Sequence, residues 1–493
     1  MKVYNLYFNG QLTPASDGKV FDAINPSNGE VFAKVASASL IDMQSAINSA
    51  REQFDNGEWS KLSVQQRGEY LKKISQLIRD NAFELARLEC ADVGKTIKHA
   101  NLIDVPTAAE TFDFFAGVEK WLSSKELDIP APVRSLIERE PIGVIAAVIP
   151  WNYPMIMTAW KMAPALIAGN TVVFKPSSKA CASVMRLAEL IETIGLPKGV
   201  INIVPSADHQ TASELVSNPM VDKISFTGGT ETGRQVMQMA SINIKRMTLE
   251  LGGKSPNIVF ADSDIDAAVG GAMSAIFMNQ GQMCTSGSRL LLDEKIYDVF
   301  MAKLVEKTKA LRIGIAEDYA TDFGPLVTCE HRDSVYKFIQ KGVSEGAKIL
   351  CGGKIPTGAD FDKGFYLEPT ILGDVRNDMF VAQEEAFGPV LCVISFSSEE
   401  EAVKLANDTK YGLAASVWTK DEEKAKRIAR QIKCGTVWVN TYGGFYNEAP
   451  FGGYKQSGFG RELGMDGLYE YTQTKHICID KTPGGTPLVS GWF

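Results

Sequence analysis

The alternation of strand-like and helical segments between residues 143 and 252 constrains the fold of this 493-residue chain most strongly. Five short apolar segments have the pattern of buried strands: GVIAAVIP, NTVVFKP, INIVP, KISFTG and MTLEL. Four segments between them have helical spacing: MIMTAWKMAPALIAG, ACASVMRLAELIETIG, TASELVSN and TETGRQVMQMA. This order predicts an α/β fold in which helices cover both faces of a parallel sheet, which is a nucleotide-binding architecture.

A glycine-rich turn follows the strand ISFTG at the start of a predicted helix. The turn contains Gly228, Gly229 and Thr232, and it stands in place of the GxGxxG fingerprint, which the chain lacks. Helix N-termini bind anions because their N–H groups are free and the helix dipole is positive there. The surrounding βαβ pattern favours a pyrophosphate site, and a turn that binds nothing is the alternative.

The flanking regions extend the α/β pattern. Residues 1–37 alternate apolar and polar around Asn-Gly and Asp-Gly pairs at 9–10, 17–18 and 28–29, which predicts β-hairpins. Residues 39–99 and 106–123 have helical spacing, and we expect the aromatic residues of the second segment to pack in the core. A second α/β pattern starts at residue 253, with no linker between the two halves.

The composition limits the possible partners and the compartment. A net charge of −8 argues against nucleic acid as a partner, and the longest apolar run, 142–150, is too short to span a membrane. The eight cysteines are scattered without a CxxC pair and the four histidines are isolated, so we expect no disulfide framework and no metal site. The N-terminus lacks the features of a signal peptide. We therefore expect a cytoplasmic protein with reduced thiols.

One cysteine, Cys284, has unusual neighbours. It lies in AMSAIFMNQGQMCTSGSR, where Gln-Gly-Gln and Ser-Gly-Ser interrupt a short apolar helix. A cysteine on such a turn can expose its thiolate to a ligand that approaches the backbone closely. Cys284 is therefore a candidate nucleophile, and a buried free cysteine is the alternative. We expect the other seven cysteines to be buried.

Two further stretches carry side chains that a cysteine nucleophile would need. Glu250 stands among apolar residues in MTLELGGKSP, where its pKa would rise and suit a general base. Asn152, in IPWNYP, has an amide that could donate to an oxyanion. Glu250 could instead form a buried ion pair with Lys254 or Arg246, and Asn152 could simply be a turn amide.

These three stretches resemble, in the same order along the chain, the Asn, Glu and Cys motifs of the aldehyde dehydrogenase superfamily. Other segments resemble further motifs of that family: VIPWNYPMIMTAWKMAPALIAGNTVVFKPS, ISFTGGTETG, LELGGKSPNIVF, NQGQMC, EEAFGPV and FGGYKQSGFGRE. The resemblance implies a hydrolytic enzyme that oxidises a small aldehyde to the carboxylic acid with NAD or NADP.

The resemblance also implies a domain organisation. A Rossmann-like cofactor-binding domain would consist of residues 1–125 and 146–252, and a catalytic domain would consist of residues 253–445. A small β extension would combine residues 126–145 with residues 471–493. This extension joins subunits in the superfamily, so we expect a homodimer or a homotetramer.

The implied mechanism assigns a role to each candidate residue. Cys284 attacks the carbonyl, and the amide of Asn152 stabilises the oxyanion together with the backbone N–H of Cys284. The cofactor accepts a hydride, and Glu250 then activates the water that releases the acid. The resemblance places Lys161 in a proton relay near the base, although a lysine on a helix is most often solvated. None of these roles requires a metal.

The resemblance assigns a further set of residues to the cofactor. They are Ile149, Pro150 and Trp151 on the adenine side, Lys175 and Ser178 at the adenosine ribose, Gly229 at the pyrophosphate, Glu385 at the nicotinamide ribose, Phe387 beside the nicotinamide ring, and Gly228, Thr232 and Leu251 elsewhere along the cofactor. A carboxylate can accept bonds from two ribose hydroxyls, but without the resemblance Glu385 would be interpreted as a surface acid.

Two positions depart from the pattern of the superfamily. Many members have a glutamate three residues after the ribose lysine, where this chain has Ser178. A glutamate would repel a 2′-phosphate, whereas a serine can donate to one, so we expect NADP to be at least tolerated. Gln473 replaces a glutamate of some relatives, which puts one route of proton exit in doubt.

The substrate tunnel implied by the resemblance is lined by Tyr153, Met157, Trp160, Met283, Thr285 and Phe451. Trp160 stands where relatives that oxidise aldehydes with a second carboxylate often have arginine, so we expect anionic substrates to be poor. The apolar tunnel suits an uncharged aliphatic or aromatic aldehyde. The stretch WNYPMIMTAWK also resembles that of betaine aldehyde and aminoaldehyde dehydrogenases, in which aromatic rings could bind a cationic tail. Met278, where plant members tend to have tryptophan, weakens this alternative.

Acyl transfer to coenzyme A and a purely structural role are the two alternative functions. Relatives that pass the acyl group to coenzyme A generally lack the base, so the presence of Glu250 argues against this activity. A catalytically silent structural relative would tend to lose a catalytic residue, and no such loss is found in the sequence.

Overall fold

Two large sheets organise the chain, of which the computed structural model describes residues 1–484. Within that range, the first sheet contains eight strands in the spatial order Gly458–Phe459, Arg246–Glu250, Lys223–Thr227, Val144–Val148, Thr171–Lys175, Ile201–Ile203, Leu6–Phe8 and Gln11–Thr13. The five strands from Arg246–Glu250 to Ile201–Ile203 are parallel, and most of their side chains are buried. The predicted parallel α/β fold is confirmed.

Both faces of this sheet are covered, because successive strand residues belong to different apolar clusters. Ile145 and Ala147 pack in one cluster, and Val144 and Ala146 pack in another. The helices of this half are Leu40–Asp55, Val64–Asp80, Ala82–Val93, Ile97–His99, Val105–Ala116, Glu119–Leu122, Pro154–Ile167, Ala182–Ile191, His209–Ser217 and Thr230–Ala240. The predicted aromatic packing is confirmed at Phe112 and Phe115, which are fully buried.

The second sheet is also largely parallel. Its strands among the described residues are, in spatial order, Lys348–Cys351, Thr370–Gly373, Val390–Phe396, Arg289–Asp293, Pro256–Val259, Ala414–Trp418 and Thr436–Val439. Only the first pair is antiparallel. The accompanying helices are Ile265–Phe277, Tyr297–Lys309, Cys329–Ser344, Phe380–Gln383, Glu399–Asn407 and Glu422–Gln431. The short helix Gly464–Tyr469 packs instead against the helix Pro154–Ile167 of the first half. This sheet is the second α/β unit that the sequence indicated.

Two small sheets complete the fold. One contains Lys2–Tyr4, Glu30–Ala36 and Val20–Asn25, and the other contains Thr472–Asp480, Val133–Pro141 and Lys125–Leu127. The strand Thr472–Asp480 pairs antiparallel with Val133–Pro141 over its whole length, which is the pairing that the resemblance implied. Residues 485–493 of the expected extension lie outside the described part of the chain.

The structure corrects one expected hairpin and shifts one expected domain limit. The turn at 17–18 does not close a hairpin, because the strands on either side of it belong to different sheets. The strand Val144–Val148 begins before the expected domain limit at residue 146, and Gly458–Phe459 returns to pair with the end of Arg246–Glu250. The first sheet therefore contains strands from distant parts of the sequence, because the chain crosses between its two halves more than once.

The expectation that seven cysteines are buried is wrong for two of them. Cys329 is half-buried at the start of the helix Cys329–Ser344, and Cys478 is exposed. Cys478 belongs to the strand Thr472–Asp480, most of whose side chains are exposed because the extension stands away from the core. The remaining five cysteines are buried as expected. A search of residues 1–484 finds no helix with the length and apolar character that a membrane span requires.

Candidate active site

A cavity of about 300 Å³ lies beside the turn that carries Cys284. We call it the Cys284 cavity. It brings together the predicted nucleophile, the predicted base and all six predicted substrate residues: Cys284, Glu250, Tyr153, Met157, Trp160, Met283, Thr285 and Phe451. These residues come from segments up to about 300 positions apart in the chain, and the fold places them around a single space.

Cys284 lies on a turn, as predicted, because the chain reverses sharply after the helix Ile265–Phe277. Three successive residues, Asn279, Gln280 and Gly281, have φ of 48°, 56° and 71°. A Cβ on Gly281 would lie 2.3 Å from the carbonyl oxygen of Gly388, so only glycine allows this close approach. The nucleophile turn is therefore built on backbone contacts that leave little room for movement.

Burial is the main influence on the thiol of Cys284 and raises its pKa to about 12. The carboxylates of Glu385 and Glu250 raise this pKa further, while the N–H groups of Thr285 and Cys284 itself lower it. The cysteine is therefore a thiol at rest, and it must lose its proton before it can attack a carbonyl.

Glu250 ends the strand Arg246–Glu250 and is buried, with neither carboxylate oxygen hydrogen-bonded within the described chain. Burial raises its pKa well above the usual range, and Glu462 raises it further. The alternative of a buried ion pair is excluded. Arg246 donates to the carbonyl of Thr472, and the ammonium of Lys254 has no hydrogen-bond partner among residues 1–484.

Lys161 is fully buried, so the alternative of a solvated helix lysine is wrong. Its Nζ donates to Glu462 Oε1 at 2.6 Å and to Ser225 Oγ at 3.1 Å. Ser225 in turn accepts from the hydroxyl of Tyr471 at 2.9 Å. Glu462 was missed in the sequence, where the only signal was the single acid of the segment GFGRE. Lys161 and Glu462 form a buried ion pair next to Glu250, in which Glu462 raises the pKa of Glu250 and Lys161 lowers it.

Asn152 is buried, and it is absent from the walls of the Cys284 cavity as far as the described residues define them. Its Nδ2 donates to the backbone carbonyl of Gln282 at 2.9 Å, and the backbone carbonyl of Asn152 accepts from Asn279 Nδ2 at 3.1 Å. The amide thus ties the segment before the helix Pro154–Ile167 to the nucleophile turn. The bond to Gln282 uses one of the two N–H groups of Asn152 Nδ2, which leaves one further donor on the amide.

The residues predicted for the cofactor lie along one edge of the first sheet. The groups at 149–151, 175–178, 228–232 and 251 each follow or end one of four neighbouring parallel strands, at the carboxyl end. Ligands of open α/β sheets bind at this edge. Gly229 is exposed at the N-terminus of the helix Thr230–Ala240, and a Cβ there would meet no atom within 4 Å. The edge therefore has the exposed helix N-terminus that the pyrophosphate prediction requires.

The remaining two residues of this prediction, Glu385 and Phe387, contact the same edge from a separate segment. The ring of Trp151 lies 5.3 Å from that of Phe387, and Glu385 Oε1 accepts from the N–H of Gly253 at 3.0 Å. Burial raises the pKa of Glu385 to about 7. The alternative of a surface acid is therefore wrong for Glu385, because its carboxylate lies against the backbone that follows Glu250.

An aromatic cluster forms one wall of the Cys284 cavity. The ring centroids of Trp160, Phe445 and Phe451 lie between 5.4 and 5.8 Å from one another. The ring of Tyr153 stands apart from them, with the buried ammonium of Lys95 4.0 Å from its centroid. Sequence reasoning missed several lining residues, namely His99, Ile103, Thr107 and Phe445. They lie on a π-helical turn, a helix and a loop, where no periodic pattern marks a cavity wall.

The sequence of the chain is similar to those of known proteins over almost its whole length. The sequence model of the aldehyde dehydrogenase family matches residues 12–477. A betaine aldehyde dehydrogenase of Bacillus subtilis (strain 168) is 46% identical over 99% of this chain and 99% of its own.

Solved structures give the same result. A betaine aldehyde dehydrogenase of Staphylococcus aureus in complex with NAD⁺ superposes with a TM-score of 0.96 at 39% identity, over 99% of this chain and 96% of that one. PnpE from Pseudomonas sp. WBC-3 superposes with a TM-score of 0.95 at 39% identity, over 99% of both chains. On these matches, and on the constellation around Cys284, the chain belongs to the aldehyde dehydrogenase family.

Proposed function

We propose that Cys284 and Glu250 carry the oxidation of an aldehyde to a carboxylic acid, with NAD or NADP as hydride acceptor. The observation that supports this most directly is that both side chains line the same apolar cavity. Of the described residues that line it, Glu250 is the one carboxylate. An assay for reduced cofactor, with an aldehyde and with or without coenzyme A, tests the activity and separates hydrolysis from acyl transfer.

The residues at the sheet edge fit the cofactor. Lys175 is half-buried and forms no ion pair among residues 1–484, so its ammonium can bind ribose hydroxyls or a phosphate. Gly229 offers the N-terminus of the helix Thr230–Ala240 to the pyrophosphate, and Glu385 offers a carboxylate to the second ribose. When bound, the cofactor supplies a hydride acceptor.

The side chains of the cavity account for the remaining chemistry. Cys284, once its thiol proton has passed to water, adds to the aldehyde carbonyl as a thiolate, and the oxyanion of the thiohemiacetal accepts from the backbone N–H of Cys284 and from Asn152 Nδ2. Glu250 takes a proton from the water that hydrolyses the resulting thioester. The pair of Lys161 and Glu462 lies behind Glu250, and we assign to it the onward transfer of this proton.

We propose betaine aldehyde as the substrate, because its trimethylammonium tail suits the aromatic cluster of Trp160, Phe445 and Phe451. The relatives named as betaine aldehyde dehydrogenases support the same choice. Tyr153 is a poorer partner for a cation, since Lys95 already occupies one face of its ring. An uncharged aldehyde of similar shape remains the second candidate, because the cluster is equally an apolar surface.

The substrate proposal predicts a charge-dependent effect of Trp160. The Trp160→Ala variant should lower kcat/KM for betaine aldehyde about 10-fold, since a desolvated cation–π contact contributes roughly 1–2 kcal/mol. The matched substrate is tert-butylacetaldehyde, which has the same shape without the charge and should lose less. Trp160→Phe keeps a ring and serves as the control. A preference for the neutral aldehyde in all three proteins would contradict the proposal.

The cofactor proposal makes Ser178 a determinant of NADP use. Ser178→Glu should lower kcat/KM for NADP about 10- to 100-fold and change that for NAD by less than about 3-fold, because a carboxylate would face the 2′-phosphate. Ser178→Gln has a similar size without the charge and is the matched control. Equal losses with both cofactors would show that Ser178 does not lie at the ribose 2′ position.

We also propose that the chain forms a homodimer or homotetramer and that the extension takes part in it. Three apolar side chains near the end of the helix Thr230–Ala240 are exposed, namely Met237, Ile242 and Ile244. Within residues 1–484, the strand Thr472–Asp480 lies at the edge of a three-stranded sheet. Exposed apolar groups and free strand edges are features that association covers.

A further inference from the structure

A strained residue stands at the cofactor cleft, where the sequence suggested only an aromatic contact. Phe387 has φ of 51°, in the left-handed region that a bulky residue rarely adopts. The residues on either side of Phe387 are tightly held. Glu385 accepts a hydrogen bond from the N–H of Gly253, and the carbonyl of Gly388 lies so close to position 281 that only glycine fits there. Such strain persists only where surrounding contacts maintain it, and it is concentrated at functional sites.

The backbone carbonyl of Phe387 is hydrogen-bonded to the imidazole of His331. His331 Nε2 lies 2.8 Å from the carbonyl oxygen of Phe387, which makes the ring nitrogen the donor. The backbone N–H of His331 donates to Thr328 Oγ1 at the start of the helix Cys329–Ser344, so a rigid element carries the imidazole. Burial lowers the pKa of His331 to about 4, so the ring stays neutral near neutral pH.

The same imidazole contacts the second aromatic residue of the cleft. The ring centroids of His331 and Trp151 are 5.3 Å apart, and those of His331 and Phe387 are 6.2 Å apart. His331, Trp151 and Phe387 therefore form a three-ring group beside the sheet edge that we assign to the cofactor. Nothing in the sequence pattern indicated a role for His331, which is one of four isolated histidines.

We propose that His331 is a positioning residue for the cofactor: it holds the backbone of Phe387 in the left-handed conformation and thereby fixes the ring of Phe387 against Trp151. The inference rests on the proposed use of NAD or NADP. Without the hydrogen bond, the segment 385–388 can relax to a negative φ at Phe387 and withdraw the ring from the cleft. The effect of His331 on the cofactor is therefore indirect and passes through Phe387.

The test separates the hydrogen bond from the ring by means of two variants of the full-length protein. His331→Phe keeps a ring beside Trp151 but removes the donor, whereas His331→Gln keeps an N–H donor but removes the ring. Calorimetric titration with NAD⁺ should show about a 10-fold rise in Kd for His331→Phe and a change of less than about 3-fold for His331→Gln. The KM for aldehyde at saturating NAD⁺ should stay unchanged in both.

A double variant tests whether His331 acts through Phe387. Phe387→Ala removes the ring, so adding His331→Phe to it should raise the Kd for NAD⁺ no further. Additive losses would show that His331 meets the cofactor directly and would overturn the inference, as would normal NAD⁺ binding by His331→Phe. If His331→Phe does not fold, His331→Leu takes its place in the same cycle. Failure of the unmodified protein to bind either NAD⁺ or NADP⁺ would instead refute the proposed function.

Discussion

Replacing Cys284 by alanine is expected to reduce aldehyde oxidation by on the order of 10³-fold or more, because the covalent route is lost. The variant removes one sulfur atom from a turn whose shape depends on backbone contacts of Gly281 and Gly253, so the fold should be retained. Steady-state assays with saturating aldehyde and cofactor measure the loss, and the melting temperature checks the fold.

A matched variant, Cys434→Ala, removes a buried thiol that does not line the Cys284 cavity in the described structure. It should keep most of the activity. If Cys284→Ala retained activity comparable to that of Cys434→Ala, another residue would have to be the nucleophile.

The second large effect is expected from Glu250→Gln, which preserves shape but cannot accept a proton. Attack by Cys284 and oxidation of the thiohemiacetal should still occur, whereas hydrolysis of the thioester should stall. Rapid-mixing experiments should therefore show a burst of about one reduced cofactor per subunit, followed by near-arrest. Normal steady-state turnover by this variant would refute the assignment of the base.

The raised pKa of Glu250 predicts how the rate of thioester hydrolysis depends on pH. Burial and Glu462 raise the pKa, and the ammonium of Lys161 opposes them. Only the ionised carboxylate can act as a base, so deacylation should speed up as pH rises through the raised pKa and then level off. Glu250→Gln should lack this dependence. A control variant, Glu384→Gln, alters an acid that pairs with Lys410 and does not line the Cys284 cavity.

Much of the fold could be predicted because parallel strands buried on both faces leave an unmistakable apolar pattern. The roles of Cys284 and Glu250 could also be predicted, because each side chain is unusual among its neighbours. Cys284 is a thiol on a polar turn, and Glu250 is an acid in an apolar strand. The hairpin at 9–10 was also predictable, because Asn9 and Gly10 adopt the positive φ that such turns require.

Other features could not be predicted because they depend on contacts between distant segments. The pairing of Lys161 with Glu462 joins positions 301 residues apart, and neither residue is unusual in its own segment. The strain at Phe387 is invisible in a sequence, since phenylalanine is common in strands and gives no sign of a left-handed backbone. Phe445 lines the cavity from an irregular segment, for which periodicity gives no information.

The most direct test of the central claim is to identify the acyl-enzyme. Glu250→Gln protein is mixed with betaine aldehyde and NAD⁺, quenched in acid, digested and analysed by mass spectrometry. The peptide containing Cys284 should gain the mass of the acyl group, the adduct should require NAD⁺, and hydroxylamine should remove it. The same treatment of Cys284→Ala should leave every peptide unmodified. An adduct on another residue, or none on Cys284 while reduced cofactor still accumulates in the burst, would show that Cys284 is not the nucleophile.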